Sequence, residues 1–216
     1  ITYNVSSNDG NTHDVEIYFE ASPRWAVDRD MQESVSRVSE SDGLVLLSTG
    51  SVSQNILAKK GDDVRIDWGY FYLAAGKENI SYATGDCRRL RKDFVENSLL
   101  QAAQDGGDYD CLAIMNDLGQ VRDATTGKIM VGYDDIYSIQ YFETNLRPYW
   151  NRKGDSSIEK QFALADKQYA DLMKKCGQFD NKLMAEATKA GGREYAELCA
   201  LAYRQAIAAH KLVEAP

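Results

Sequence analysis

The chain has 216 residues, with 25 Lys and Arg against 33 Asp and Glu, a formal net charge of −8. That length allows one large domain or two small ones, and 44% hydrophobic with 27% charged residues is the balance of a folded globular chain, which excludes global disorder. No run reaches the roughly 18 apolar residues of a membrane helix, and the acidic balance argues against a nucleic-acid partner, whose phosphates call for clustered Lys and Arg.

The chain opens on Ile1, with Thr2-Tyr3-Asn4-Val5-Ser6 strand-like from the start. No charged segment, apolar stretch and cleavage site precede it, so it reads as a mature or cut piece of a longer protein. Asn8-Asp9-Gly10-Asn11 is a turn, and His13 to Glu20 alternates polar with apolar residues as a half-buried strand does. Together they predict a hairpin. Leu44-Val45-Leu46-Leu47 follows the turn Ser41-Asp42-Gly43 as a second strand. From Val64 to Leu73 the alternation puts Val64, Ile66, Trp68, Tyr70 and Tyr72 on one face of a third. Residues 86–104 carry a helical pattern capped by Asp86, with Leu90, Phe94, Val95 and Leu99 at helical spacing and Asp105-Gly106-Gly107 as the stop. Leu112 to Met115 is a short apolar strand, and Asp123 to Lys128 a turn between two strand ends.

After about residue 135 the apolar period changes to 3.6. Ile158, Phe162, Ala165, Tyr169, Leu172, Met173 and Cys176 form one stripe, with Ser156 and Glu159 as a capping box and Gly177 as the C-terminal cap. A second helix runs from Asp180 to Gly191-Gly192, and a third carries Tyr195, Leu198, Cys199, Ala202, Ala206, Ala209 and Val213 inward. Short loops between them predict antiparallel neighbours. Residues 1–155 hold 25 acids and 16 bases, whereas residues 156–213 hold 7 and 9. The expected class is therefore α+β, an antiparallel β-sandwich region over residues 1–132 followed by α-helical hairpins over residues 133–216.

Chemistry-bearing residues are sparse. His13 and His210 are the two histidines and fall in different halves, which argues against a His-based triad or a multi-His metal site. Ser157-Ile158-Glu159-Lys160 has the spacing of a Ser–Lys hydrolase, but no partner motif accompanies it, and a helix start is the simpler reading. Asp105, Asp108, Asp110 and Asp117 read as a solvated loop rather than a cation site. Cys176 and Cys199 are expected to pack as small hydrophobes, while Cys87 and Cys111 are a pair that closes only if their Cα atoms lie within about 7 Å. In Tyr133-Asp134-Asp135-Ile136-Tyr137, Asp134 and Asp135 mark the entry to the helical half, one capping a helix there or both lining a pocket in a domain crease. Arg204 sits in an otherwise apolar helix as a tether or a carboxylate anchor. Asp134, Asp135 and Arg204 are the substrate-binding candidates. No catalytic residue, metal or cofactor is assigned.

Three of these stretches carry a resemblance. Lys59-Lys60-Gly61-Asp62-Asp63-Val64-Arg65-Ile66-Asp67-Trp68-Gly69-Tyr70 is similar to the β-domain of the glutaminase A type family, known from fungi and Bacteroides-like bacteria. The segment from Val131 to Phe142 resembles the interdomain segment of that family, and Tyr195 to Ala206 resembles an early helix of its helical domain. The resemblance implies a β-sandwich followed by an (α/α) toroid, of which this chain holds the last part of the first and the opening helices of the second. It also implies a secreted or periplasmic hydrolase that converts glutamine to glutamate and ammonia, with the main catalytic region elsewhere and this chain inactive alone. A downstream segment or a second copy is then the expected partner of the helices. Helical toroids joined to β-sandwiches also host glycosidases, so a carbohydrate substrate is the first alternative. A non-catalytic binding module, suggested by Tyr70, Phe71 and Tyr72, is the second.

Overall fold

The computed structural model describes residues 1–101 and 107–215. It is a mixed α+β chain in which antiparallel strands come first and helices last. β1 (Thr2–Val5), β2 (His13–Ala21), β3 (Ser34–Ser41), β4 (Leu44–Ser51), β5 (Tyr70–Gly76) and β6 (Ile80–Gly85) precede α1 (Cys87–Asn97). After it come β7 (Cys111–Val121), β8 (Thr125–Lys128), β9 (Met130–Asp134), β10 (Ile139–Tyr141), β11 (Thr144–Leu146), α2 (Ile158–Lys167) and α3 (Tyr169–Ala209).

Two sheets share one apolar layer. One has the order β2-β7-β6 and the other β3-β4-β5-β9, every pairing antiparallel. Because successive side chains on a strand point to opposite faces, Leu47, Phe71, Leu73, Leu112 and Ile114 meet between the sheets with Ala21 and Ile129. The alternate residues face outward, yet they are apolar too. Leu44, Leu46 and Ala74 are covered by Phe162 of α2, and Ala83, Cys111, Ala113 and Met115 by Leu90 of α1 and Leu100. This explains the unbroken apolar runs of β4 and β7, since a strand covered on both faces has no solvent side to mark with polar residues. β4 is buried along its whole length.

Several expectations from the sequence are corrected. β1 and β2 do not form a hairpin: β1 pairs with β8 and β2 with β7. Residues expected as a turn, Thr125 to Lys128, are therefore a strand, held by Thr2↔Lys128 through Val5↔Thr125. The strand expected from Val64 begins only at Tyr70, because Gly69 has φ +76° and turns the chain just before it. Asp86 does cap α1, accepting the Arg89 N–H at 2.9 Å, but the helix stops at Ser98 in a left-handed conformation. The expected stop at Asp105-Gly106 lies outside the described residues, as does the rest of the helical pattern at residues 102–104.

No helix starts at Asp134 or Asp135. β9 runs through residues 132 and 133, the β10–β11 hairpin follows, and the first late helix begins at Ile158. Its cap is Ser157, whose Oγ accepts the Lys160 N–H, one residue beyond the expected Ser156. The Ser–Lys spacing thus serves a helix start. α2 ends at Lys167 with Gln168 as its cap, and Gly177 lies inside α3 rather than capping anything. α3 itself breaks at Gly192, with φ +84° and ψ −177°. Residues 169–191 and 193–209 fold back on each other there, bringing the Phe179 and Tyr203 rings to 4.9 Å. The antiparallel neighbours foreseen from sequence are this hairpin. Much of the expected inward stripes is nonetheless open: Cys176, Leu172, Met173, Tyr195 and Leu198 are all exposed.

The hairpin is fixed at two roots. At its start Lys128 pairs with Asp166 at 2.8 Å and lies over the Tyr169 ring, whose hydroxyl meets Thr2 Oγ1 at 2.6 Å. At its end residues 210–213 return in an extended run, with Val213 bridging Pro148 and the Tyr149 N–H donating to Leu212 O at 2.8 Å. No helix among the described residues is long and apolar enough to cross a membrane.

Cys87 and Cys111 form a disulfide, with Cα atoms 5.3 Å apart, that ties the start of α1 to the start of β7. Replacing both by Ser is expected to lower unfolding free energy by about 3 kcal/mol, given the short loop they close, read by urea denaturation of the two proteins. Gly69→Ala places a Cβ at positive φ against the Asp134 carbonyl and 3.0 Å from Asp135 Cα. It is expected to cost about 2 kcal/mol or more, with a shifted Trp68 emission reporting the site.

Candidate functional site

The most constrained polar region lies where β9 ends and the return segment 210–213 arrives. Asp134 is the last residue of β9, opposite Tyr70. Its Oδ1 accepts the Ile136 N–H at 3.0 Å, closing a tight turn in which Ile136 takes φ +57°. The local reason is that an Asp side chain can hydrogen-bond the backbone two residues on, so the strand is turned by its own final residue. Burial pushes the Asp134 carboxyl above the ordinary carboxylate range, and the neighbouring Asp135 and Glu159 charges add to the shift.

Asp135 is buried, and its Oδ2 receives Lys211 Nζ at 3.0 Å. The backbone around it is held by Trp68, whose Nε1–H reaches both Asp135 O at 2.8 Å and Tyr137 O at 3.1 Å. Tyr133 donates its hydroxyl to Trp68 O at 2.6 Å. Burial, followed by the Asp135, Asp67 and Asp134 charges, raises the Tyr133 hydroxyl far above its usual value, so it stays a donor. A cavity of about 360 Å³ opens here, lined by Tyr133, Asp135, Ser138, Trp150, His210 and Lys211. A second, of about 250 Å³ and more apolar, adjoins it across Tyr133 and Trp150 and is walled by Ile158 and Phe162.

Asp135, Ser138 and His210 line one cavity but do not form a triad. The His210 Nδ1–H donates to Ala206 O, and Asp135 is taken by Lys211, so the carboxylate–imidazole bond that orients such a base is not made. The crease can instead offer a buried carboxylate beside an ammonium, with the Ser138 side of the cavity next to them. That set suits a ligand bearing both charges.

The sequence candidates separate. Asp135 lines the crease cavity and Asp134 closes the turn next to it, whereas Arg204 is exposed and lines a groove of the helical hairpin with Asp180, Leu183, Met184 and Glu197. Asp108 and Asp110 are turn residues: Ser34 donates to Asp108 O, and Asp110 Oδ2 accepts the Gly107 N–H at 2.9 Å. Asp117 Oδ1 accepts the Gly119 N–H at 2.8 Å, and Asp105 lies outside the described residues. Among the described residues, metal-type ligands gather at Glu20, Cys87 and Cys111, but those two sulfurs are joined in the disulfide. Sequence reasoning missed Lys211 and Trp68 as parts of the crease. A Trp in a polar stretch was the available signal for the second. Nothing local marked the first, which depends on the return of the chain from the helical hairpin.

Comparison with known proteins agrees with this architecture in extent. Residues 1–186 match the family described as "Domain of unknown function (DUF5127)". Over 224 aligned residues the chain is 23% identical to "Glutaminase A" of Aspergillus oryzae (strain ATCC 42149 / RIB 40), an alignment covering 98% of this chain and 32% of that protein. The chain thus spans about a third of the length of that curated relative. With the match running from Ile1 through both sheets and into the first arm of the hairpin, the chain belongs to the DUF5127 family.

Proposed function

We propose that this chain is the β-sheet part and first helical hairpin of a glutaminase-type amidohydrolase, and that it is not itself the catalytic unit. The similarity to a protein named Glutaminase A along nearly the whole chain, but over only a third of that protein, carries the reading. The helical hairpin supports it from the physical side. Its apolar residues at Leu172, Met173, Leu198, Leu201 and Ile207 are exposed, the state of helices that pack against further helices when those are present. An (α/α) toroid built onward from this hairpin gives those residues their partners.

In this reading the crease contributes substrate contacts. Asp135 and Lys211 present opposite charges side by side, the complement of an amino-acid zwitterion. The Cys87–Cys111 disulfide supports an oxidising compartment, secreted or periplasmic.

A coupled ammonia assay with glutamine tests the assignment. This chain alone is expected to release none, and a chain extended through the remaining length of the relative is expected to be active; full turnover by the 216-residue chain sinks the proposal. The crease has a pH signature as well. A carboxyl whose folded pKa is raised binds its proton more tightly when folded, so its ionisation costs stability as pH rises through the window above the ordinary carboxylate range. Asp134→Asn is therefore expected to stabilise the protein at neutral pH, with the gain fading as the pH falls and Asp134 protonates. Thermal melts across pH 4 to 8 check the sign, and a gain that grows toward acid contradicts it.

A further inference from the structure

The Cys87–Cys111 disulfide is one bond with two unlike ends. Cys111 begins β7 and has no accessible surface, enclosed with Ala83, Leu90, Leu100, Ala113 and Met115. Cys87 is only half-buried and is the first residue of α1. A reductant from outside the chain must therefore take the Cys87 sulfur, since the other offers it no surface.

In thiol–disulfide exchange a thiolate attacks one sulfur and the other leaves as a thiolate, faster the lower its thiol pKa. The N–H groups at a helix start favour a thiolate, whereas apolar surroundings disfavour it. Cys87 would thus be the good leaving group and Cys111 the poor one. Accessibility enforces the opposite assignment. The sulfur open to attack is the one that would depart easily, and the sulfur that must depart sits in the apolar cluster.

Glu20 adds a charge to this geometry. One of its carboxylate oxygens lies within 4.8 Å of both sulfurs. The carboxylate is held by Arg91 Nε, at 2.8 and 2.9 Å from its two oxygens, and by the Tyr18 hydroxyl, which donates to Oε2 at 2.8 Å. Arg91 is more than half exposed, so water screens much of its charge, while the Glu20 side chain is largely covered. A fixed negative charge beside the bond opposes both an arriving anion and the thiolate that forms on Cys111.

We propose that this disulfide is a one-way redox site that selects its reductant by charge: the entering thiol bonds to Cys87, Cys111 leaves, and Glu20 turns away anionic thiols. The thiolate RS⁻ forms an RS–Cys87 bond as the Cys87–Cys111 bond breaks, and the Cys111 thiolate takes a proton from water. A second thiolate then attacks the RS sulfur and releases Cys87, which is protonated in turn, together with the small disulfide RSSR. Two thiols are oxidised for the one bond reduced. An acidic thiol such as glutathione is a poor reductant of this chain, and a cationic aminothiol is a better one. The site is remote from the crease in its chemistry and does not depend on the glutaminase reading.

The test treats the oxidised 216-residue chain, under native conditions, with cysteamine, 2-mercaptoethanol and 2-mercaptoethanesulfonate at equal thiolate concentration. Acid quenching and peptide mass mapping read the position of the adduct and its rate of formation. The adduct is expected on Cys87, with second-order rates falling about tenfold from the cationic to the anionic thiol. Glu20→Gln is expected to remove most of that spread. Arg91→Met, which leaves the carboxylate uncompensated, is expected to widen it, so the test survives if the Glu20 variant does not fold. Each comparison is a ratio within one variant, and a loss of stability imitates neither result. An adduct on Cys111, equal rates for the three thiols, or rates that do not rise with thiol concentration overturns the proposal. So does a spread that both substitutions leave unchanged.

Discussion

The structure depends on covering β4 and β7 on both faces. Their apolar residues leave no side that can face water, and each fully buried Leu or Ile contributes about 2 kcal/mol only if a neighbour closes over it. The inner faces satisfy each other across the sheet pair. The outer faces need helices, and the chain supplies one for each: α1 over the three-stranded sheet, tied by the Cys87–Cys111 bond, and α2 over the four-stranded sheet through Phe162. The positions of α1 and α2 follow from this demand, and those of the crease and the hairpin roots follow from α2.

Where β5 and β9 leave the four-stranded sheet, their backbones can no longer satisfy each other by pairing, and side chains take over. Trp68 donates to two carbonyls at once, Gln54 reaches Gly69 with both ends of its amide, and Asp134 closes the turn after β9. Buried backbone polar groups must be paired, and here the pairing is done by residues that look like ordinary loop polarity in the sequence. The same corner separates two polar cavities of different character, one around Asp135 and Lys211 and one around Asp67 and Lys59.

Local pattern made some of this legible. The alternation of His13 to Glu20, the Asp86 cap, the apolar run at Leu112 and the late change to helical period all correspond to real elements. What failed was partnership. β1 was read with its neighbour β2, but it pairs with a strand more than 120 residues away, and no local signal encodes that choice. The break at Gly69 was hidden because alternation continued through it, and the left-handed φ there is dictated by the close approach of Asp134. Asp134 and Asp135 stand out as a pair in the sequence, yet only Asp135 lines the cavity, and the helix start expected at them lies some twenty residues further on. Lys211 could enter the site only through the return of the hairpin, a tertiary event. Cys176 shows the converse: helical spacing marks which residues share a face, and says nothing about whether anything covers that face.

The hairpin of α3 has a mechanical consequence. Its two arms join the sheets at neighbouring roots, the Lys128–Asp166–Tyr169 contacts and the Pro148–Val213 bridge, and the Gly192 bend lies at the far end. Such an element behaves as a cantilever. A load applied at the bend is felt at the roots multiplied by the length of the arm, and one of those roots carries Lys211 into the bond with Asp135. Whatever presses on the distal turn therefore acts on the charge pair of the crease, with the helix backbone as the lever.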